Sequence, residues 1–355
     1  MQPDSAKIPI SLLTGFLGSG KTTVLNRLLR QPAMANVMVI INEFGEIGLD
    51  HELIESATDD MVLLQSGCLC CTIRGDLIDT LRTLYSKRSR SEIPQFDRVV
   101  IETTGLADPA PILQALAADG LVASRFELDG VITTVDAIVG DATLDRHIEA
   151  VKQAAVADRI LLTKTDLVED GACEALERRL RELNPAAPIL RVSGGDVSPH
   201  RLFFAGLQNP VTKSLDVQRW LQEEKYAHHR ADGHHRHSQA ADNVNRHDDH
   251  IKAISWVVEE PVPGEALDNW LRSLMQFRGP DLLRFKGIVN VAGMSGPMVL
   301  HGVQHVIYPP IALKNWPSSD RRTRMVFITY DIDENTLRDS LRKLMREPNA
   351  PAPSR

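Results

Sequence analysis

TGFLGSGKTT occupies residues 14–23, between the apolar run IPISLLT (8–14) and a stretch whose Val24, Leu25, Leu28 and Leu29 repeat at helical spacing. Gly15, four further residues and then Gly20-Lys21-Thr22 satisfy the phosphate-binding loop pattern, in the strand-loop-helix setting that its chemistry requires. Glycines there let backbone N–H groups turn inward around an anion at a helix N-terminus. Lys21 supplies a point charge for β and γ phosphates, and the Thr22 hydroxyl can ligate Mg²⁺. An ordinary glycine turn before a helix is the competing reading, and the complete spacing in the right context weighs against it.

Outward from this loop, VMVIIN (37–42), RVVIET (98–103), GVITTVD (130–136) and RILLTK (159–164) are nearly continuous aliphatic runs. Such runs are expected of parallel strands covered on both faces. Amphipathic stretches, including 144–155, lie between them, and the alternation predicts an α/β domain with a doubly wound, mostly parallel sheet over residues 1–206. From 207 to 250 the pattern fails, and residues 228–250 hold seven of the twelve histidines among Asp, Asn, Arg and Ala, which predicts a His-rich flexible linker. IKAISWVVEE then opens a second apolar sequence that runs through LLRFKGIVNVAG, MVLHGVQHVIY and RMVFITYDID to a helix carrying Leu337, Leu341 and Leu344. Residues 251–355 are therefore expected to form a smaller α+β domain. His301 and His305 read as packing residues of a strand rather than as a site.

With 355 residues, 43% of them hydrophobic and 25% charged, the chain is long enough to bury a full core. MQPDSAKIPI reads as neither a signal peptide nor a membrane span, so a cytoplasmic location without membrane attachment is expected. A formal charge of −7 and 5% aromatic residues argue against a nucleic-acid partner and for a small or proteinaceous one.

A carboxylate is expected at the end of a strand neighbouring the phosphate loop, and RVVIETTGLADP supplies it. Glu102 can hold the Mg²⁺ water shell, and the Gly105 N–H can sense a γ phosphate as a switch; helix capping is the bland alternative for an isolated strand-end Glu. In LLTKTDL (161–167), Asp166 can accept two hydrogen bonds from the N1 and N2 donors of guanine, which adenine lacks, so GTP is favoured over ATP. Thr163 stands where Asn is usual in this motif, and its hydroxyl can do part of the same work. Helix capping by Asp166 is the competing reading.

SGCLCCTIRGD (66–76) crowds Cys68, Cys70 and Cys71 together in a chain whose only other cysteine is Cys173. Such bunching does not suit a disulfide framework and points to metal or thiol reactivity. In an extended segment Cys68 and Cys70 face one side and Cys71 the other, so one ion can collect all three only if the backbone bends after Cys70. A strand-to-helix turn before Leu77, Ile78, Leu81 and Leu84 would supply that bend. Three thiolates leave a tetrahedral Zn²⁺ one ligand short, open to water, to Glu43 or Glu46, or to a client group, and an incomplete shell suits transfer better than a closed structural site. Inert buried thiols or a redox pair are the alternatives.

TGFLGSGKTT, NEFGEIGLD, GCLCC, VVIETTGLADPAP and TKTD, in this order, resemble the CobW-type family of P-loop GTPases, and LLRFKGIVNV with GVQHV resembles that family's C-terminal domain. The resemblance implies a GTP-hydrolysing metallochaperone that binds a transition metal and delivers it to a client apo-metalloprotein. It gives Gly15, Gly18, Ser19, Gly20, Lys21, Thr22 and Thr23 to phosphates and Mg²⁺, and Glu102 and Gly105 to hydrolysis and switching. It gives Lys164 and Asp166 to guanine, Cys68, Cys70 and Cys71 to the delivered metal, and residues 42–50 to a switch linking nucleotide to metal. Zn²⁺ is the favoured cargo, with Co²⁺ for cofactor assembly as the alternative, since three thiolates accept both. A metal or redox sensor without delivery, and a P-loop enzyme phosphorylating a small molecule, are the rival functions. No catalytic base or arginine finger stands out, so slow intrinsic turnover is expected. The histidine tract reads as a weak metal reservoir or a polar tether.

Overall fold

The computed structural model describes residues 7–44, 61–66, 71–203 and 250–346, with backbone alone at 42–44, 61–66 and 71–74. The chain divides into two compact units. In the first, β1 (Ile8–Gly15), β2 (Val37–Phe44), β3 (Met61–Ser66), β4 (Arg98–Glu102), β5 (Phe126–Asp136), β6 (Arg159–Thr163) and β7 (Ile189–Val192) form one sheet in the order β3-β2-β4-β1-β5-β6-β7. Every pairing is parallel. Between the strands run α1 (Lys21–Leu29), α2 (Cys71–Ser89), α3 (Ala110–Ala118), α4 (Gly120–Arg125), α5 (Gly140–Arg146), α6 (Ile148–Ala155) and α7 (Asp170–Leu183), and a short α8 (Pro199–Leu202) follows β7.

Alternation along the strands explains why their sequences are apolar throughout. Leu13, Val39, Val100 and Ile132 share a core cluster with Val24, Leu25 and Leu28 of α1. Their strand neighbours Leu12, Ile40, Ile101 and Val131 point to the other face and are just as fully buried. Both faces are therefore covered, as a doubly wound sheet demands. Each such side chain contributes about 1.5–3 kcal/mol by leaving water.

The apolar runs identify five strands and pass over β3, MVLLQS, and β7, ILRV. These two stand at opposite edges of the sheet. An edge strand is paired on one side only, and β7 buries just one of its four residues fully, so its sequence lacks the aliphatic continuity of the central strands.

In the second unit, β8 (Ile251–Val258), β9 (Leu282–Val289), β10 (Met298–Val303), β11 (Val306–Ile307) and β13 (Thr323–Tyr330) lie in the order β11-β10-β9-β13-β8, with β12 (Ile311–Ala312) also paired to β10. All these pairings are antiparallel. Leu267, Leu271 and Met275 of α9 (Gly264–Arg278) and Leu337, Leu341 and Leu344 of α10 (Glu334–Arg346) bury one face of each helix with Phe285 and Phe327 of the sheet. His301 stacks on Tyr308 with ring centroids 4.5 Å apart, and His305, in the turn beyond β10, brings Nδ1 within 3.1 Å of the Met275 carbonyl oxygen. Both are packing residues, and they do not share a strand. The expected boundaries near 206 and 250 and the histidine tract lie outside the described residues apart from His250, whose Nδ1 is 2.6 Å from Asp331 Oδ1. No helix among the described residues is long and apolar enough to cross a membrane.

Candidate functional site

Parallel strands carry all their C-terminal ends to one edge of the sheet, and in this fold ligands bind outside that edge. The loop between β1 and α1 is built there. Gly15 has φ +142°, and a Cβ on it would fall 2.2 Å from Thr134 Oγ1, so only glycine lets the chain leave β1 so close to β5. Ser19 is buried, with its Oγ 2.6 Å from the same Thr134 hydroxyl. Gly18 and Gly20 complete the loop, and Gly20 caps α1 in a left-handed conformation. Lys21 is buried and folds its ammonium back over the loop, donating to the carbonyls of Gly15 at 3.0 Å and Phe16 at 3.2 Å. Thr23 is exposed on the first turn of α1.

Glu102 ends β4, directly beside Leu13 of β1 and Ile41 of β2 in register. It is 5% exposed, and Thr22 Oγ1 donates to its Oε1 at 2.9 Å. Two hard oxygen ligands thus meet at the first turn of α1, a donor set that suits Mg²⁺. Beyond Glu102 the chain is tied to β1, since the Thr103 N–H donates to Leu13 O at 2.9 Å and the Thr103 hydroxyl to Thr14 Oγ1 at 2.8 Å. Gly105 then passes so near the phosphate loop that a Cβ would lie 2.6 Å from the Leu17 nitrogen. Any larger residue would push the two loops apart.

Asp166 is exposed in a turn of 3-10 helix after β6, and its Oδ1 accepts from the Gly194 N–H at 3.3 Å. Lys164 has φ +57°, and its ammonium pairs with buried Asp136 at 2.6 Å. Thr163 is turned inward; its hydroxyl donates to Ser19 O at 2.7 Å and lies 3.1 Å from Val135 O. The residue standing in the usual Asn position thus fastens the end of β6 to the phosphate loop.

Three participants escaped the sequence reading. Thr134 and Asp136, at the end of β5, support the phosphate loop and Lys164. Ser193-Gly194-Gly195, after β7, bring a backbone N–H to Asp166 and pack Gly195 against Thr23. Paired glycines just after an apolar strand, and an Asp closing GVITTVD, were the available signals.

Of the thiols, Cys68 and Cys70 lie outside the described residues, and Cys71 opens α2, described as backbone only. The segment therefore falls in the connection from β3, which ends at Ser66, to α2. Residues 42–44 end β2 and 45–50 lie outside the described residues. Among the described residues no three His, Cys, Asp or Glu side chains converge as a metal site.

Residues 9–191 match the family described as CobW/HypB/UreG, nucleotide-binding domain, and residues 251–345 match the cobalamin synthesis protein cobW C-terminal domain. The zinc chaperone YjiA of Escherichia coli (strain K12) is 34% identical over 331 residues, which cover 93% of this chain and 96% of that protein. The zinc-regulated GTPase metalloprotein activator 1 of Dictyostelium discoideum is 28% identical over 396 residues, covering 94% and 78% respectively. Among solved structures, Zn(II)-bound YjiA GTPase from E. coli superposes with a TM-score of 0.71 at 28% identity, over 96% of this chain and 99% of that one.

Proposed function

This chain belongs to the CobW/HypB/UreG family and is a GTPase, and from that premise we propose that it couples GTP turnover to the capture of zinc and its hand-over to a client apo-metalloprotein. Gly15, Gly18, Ser19, Gly20 and Thr23 hold the phosphates through backbone and hydroxyl donors, and Lys21 exchanges the loop carbonyls for the β and γ phosphates. Thr22 and Glu102 would hold Mg²⁺, which would supply positive charge against the phosphate oxygens. Asp166 accepts from guanine N1 and N2, with Lys164 beside it, and Gly105 donates its N–H to the γ phosphate. The cargo is bound by the thiolates of Cys68, Cys70 and Cys71, with a fourth position open to the recipient.

The observation that carries the coupling is the strand order. Leu13, Glu102, Ile41 and Leu63 lie side by side on β1, β4, β2 and β3. Three inter-strand spacings separate the phosphate-loop strand from the strand leading to the thiols, about 14 Å. The segment 42–50 begins at the end of β2, the strand between β4, which carries Glu102, and β3, so in this reading it relays the state of the phosphate site toward the thiols. Ordering of this segment by GTP and Mg²⁺ gathers the thiolates, and hydrolysis releases them.

Binding linkage is reciprocal, so metal tightens GTP binding by the factor by which GTP tightens metal binding. Zinc affinity measured by competition against a chromophoric chelator, with a non-hydrolysable GTP analogue and with GDP, tests the proposal. An affinity at least about fivefold higher in the GTP state is expected, and it should disappear in Cys68→Ser/Cys70→Ser. Equal affinities would remove the switch, and tighter binding of Co²⁺ than Zn²⁺ in the same assay would change the cargo. Retention of zinc by the GDP form in the presence of an apo-metalloprotein would point to a sensor.

A further inference from the structure

We propose that Gln153 is a positioning residue for GTP hydrolysis: from α6 its buried carboxamide grips the loop after β4 and sets where the Gly105 N–H stands. The inference rests on the reading that this loop senses the γ phosphate. Gln153 is 0% exposed, and its Nε2 donates to the Gly105 carbonyl at 3.2 Å and the Ala107 carbonyl at 2.9 Å. An amide NH₂ is the neutral side-chain group that can serve two carbonyls with two protons. The other half of the carboxamide, Oε1, is buried with no hydrogen-bond partner among the described residues.

That imbalance separates a grip from ordinary packing. An apolar side chain of similar volume would fill the space without stranding an acceptor, so packing alone accounts for neither the amide nor its orientation. Because Gln153 has no contact with solvent, its donors cannot turn to water if the loop withdraws. Loop and carboxamide therefore move together or not at all.

The loop is gripped from both sides. Gly105 lies against Leu17 of the phosphate loop, where a Cβ would come within 2.6 Å of the Leu17 nitrogen, and Gln153 holds its carbonyl from the α6 side. The helix is itself tied down. Thr133 Oγ1 of β5 donates to the Gln153 backbone carbonyl at 2.8 Å, and Lys152 Nζ reaches Asp108 Oδ2 at 3.2 Å. His147, at the N-terminal boundary of α6, lies against Phe16 of the phosphate loop with ring centroids 4.4 Å apart and the rings tilted by 30°. The helix thus bridges the loop that holds the phosphates and the loop that reads the last of them, and Gln153 makes the connection to the second.

The decisive comparison is Gln153→Met, which keeps length and apolar volume and removes both donors, against Asp129→Ala, which destabilises the fold at the N-terminal end of β4, where Asp129 pairs with Arg98, and touches neither α6 nor the loop. For Gln153→Met, kcat for GTP should fall about 10- to 100-fold with KM and GDP affinity within about twofold of wild type. Asp129→Ala should leave kcat of the folded protein within about twofold although it lowers thermal stability. An unchanged kcat in Gln153→Met, or kcat and GDP affinity falling together in both variants, would overturn the proposal.

Amide hydrogen exchange of the wild-type chain keeps the proposal open to refutation even if Gln153→Met does not fold. Residues 104–107 and 152–155 should gain protection together when GDP is replaced by a non-hydrolysable GTP analogue. Protection of 104–107 alone would overturn the role of Gln153. No change at 104–107 would instead overturn the γ-phosphate reading of the loop, and the grip with it.

Discussion

β4 is five residues long, RVVIE, and carries a charged side chain at each end. Arg98 and Glu102 are equally buried, yet they serve different purposes. At the C-terminal end Glu102 meets the Thr22 hydroxyl, next to loops that leave β1, β5 and β6. At the N-terminal end Arg98 pairs with Asp129 of β5 at 2.5 Å, donates to Ser11 of β1 at 2.9 Å and lies 4.6 Å over the Phe203 ring. The first end lies at the edge of the sheet where the loops after β1, β5 and β6 meet. The second is closed over by Phe203, just after α8, and its charges satisfy one another. A buried charge with all its partners inside the protein maintains the fold, whereas one beside an open anion cradle is available for chemistry.

The largest effect that would break this contrast is at the closed end. Asp129→Ala leaves the Arg98 guanidinium buried without its carboxylate, and urea unfolding should report a loss of about 3–5 kcal/mol. The protein that remains folded should hydrolyse GTP within about twofold of wild type; a large loss of kcat without destabilisation would erase the distinction. At the open end Lys21→Met should do the reverse. Steady-state GTPase assays should show kcat/KM reduced about 100- to 1000-fold, with unfolding free energy changed by no more than about 1 kcal/mol. The smallest effect sharpens the contrast by asking how the open end is held together. Thr163→Val removes the hydroxyl that fastens β6 to the Ser19 carbonyl, and fluorescent-nucleotide titration should show GTP and GDP weakened alike by about three- to tenfold. A change in kcat with unchanged nucleotide affinity would mean that Thr163 acts on hydrolysis and not on nucleotide binding.

Much of the parallel sheet was legible because both faces of its central strands are covered, which forces continuous aliphatic runs such as VMVIIN and GVITTVD. β3 and β7, at the two edges of the sheet, were not; β7 is paired on one side only and buries one of its four residues fully, so its residues mix polar with apolar types. The phosphate loop was legible because its function constrains several consecutive residues at once. Gln153 and Ser193-Gly194-Gly195 were not. A glutamine in an amphipathic helix and a glycine pair in a loop are common, and what distinguishes them is a carbonyl or carboxylate brought from 28 to 48 positions away.

Residue order by itself determined the chemistry on offer: a lysine and a threonine after a glycine turn, a carboxylate closing a strand, an aspartate in TKTD and three crowded thiols. Those features depend on neighbours within a few residues, where spacing along the chain and spacing in space are nearly the same. Only the tertiary structure decided which end of β4 lies beside the phosphate loop, that Thr163 turns toward Ser19, and that α6 holds the loop after β4. Each of these depends on which strands lie side by side, and strand order follows from burying all the apolar runs together, a condition that no single segment carries.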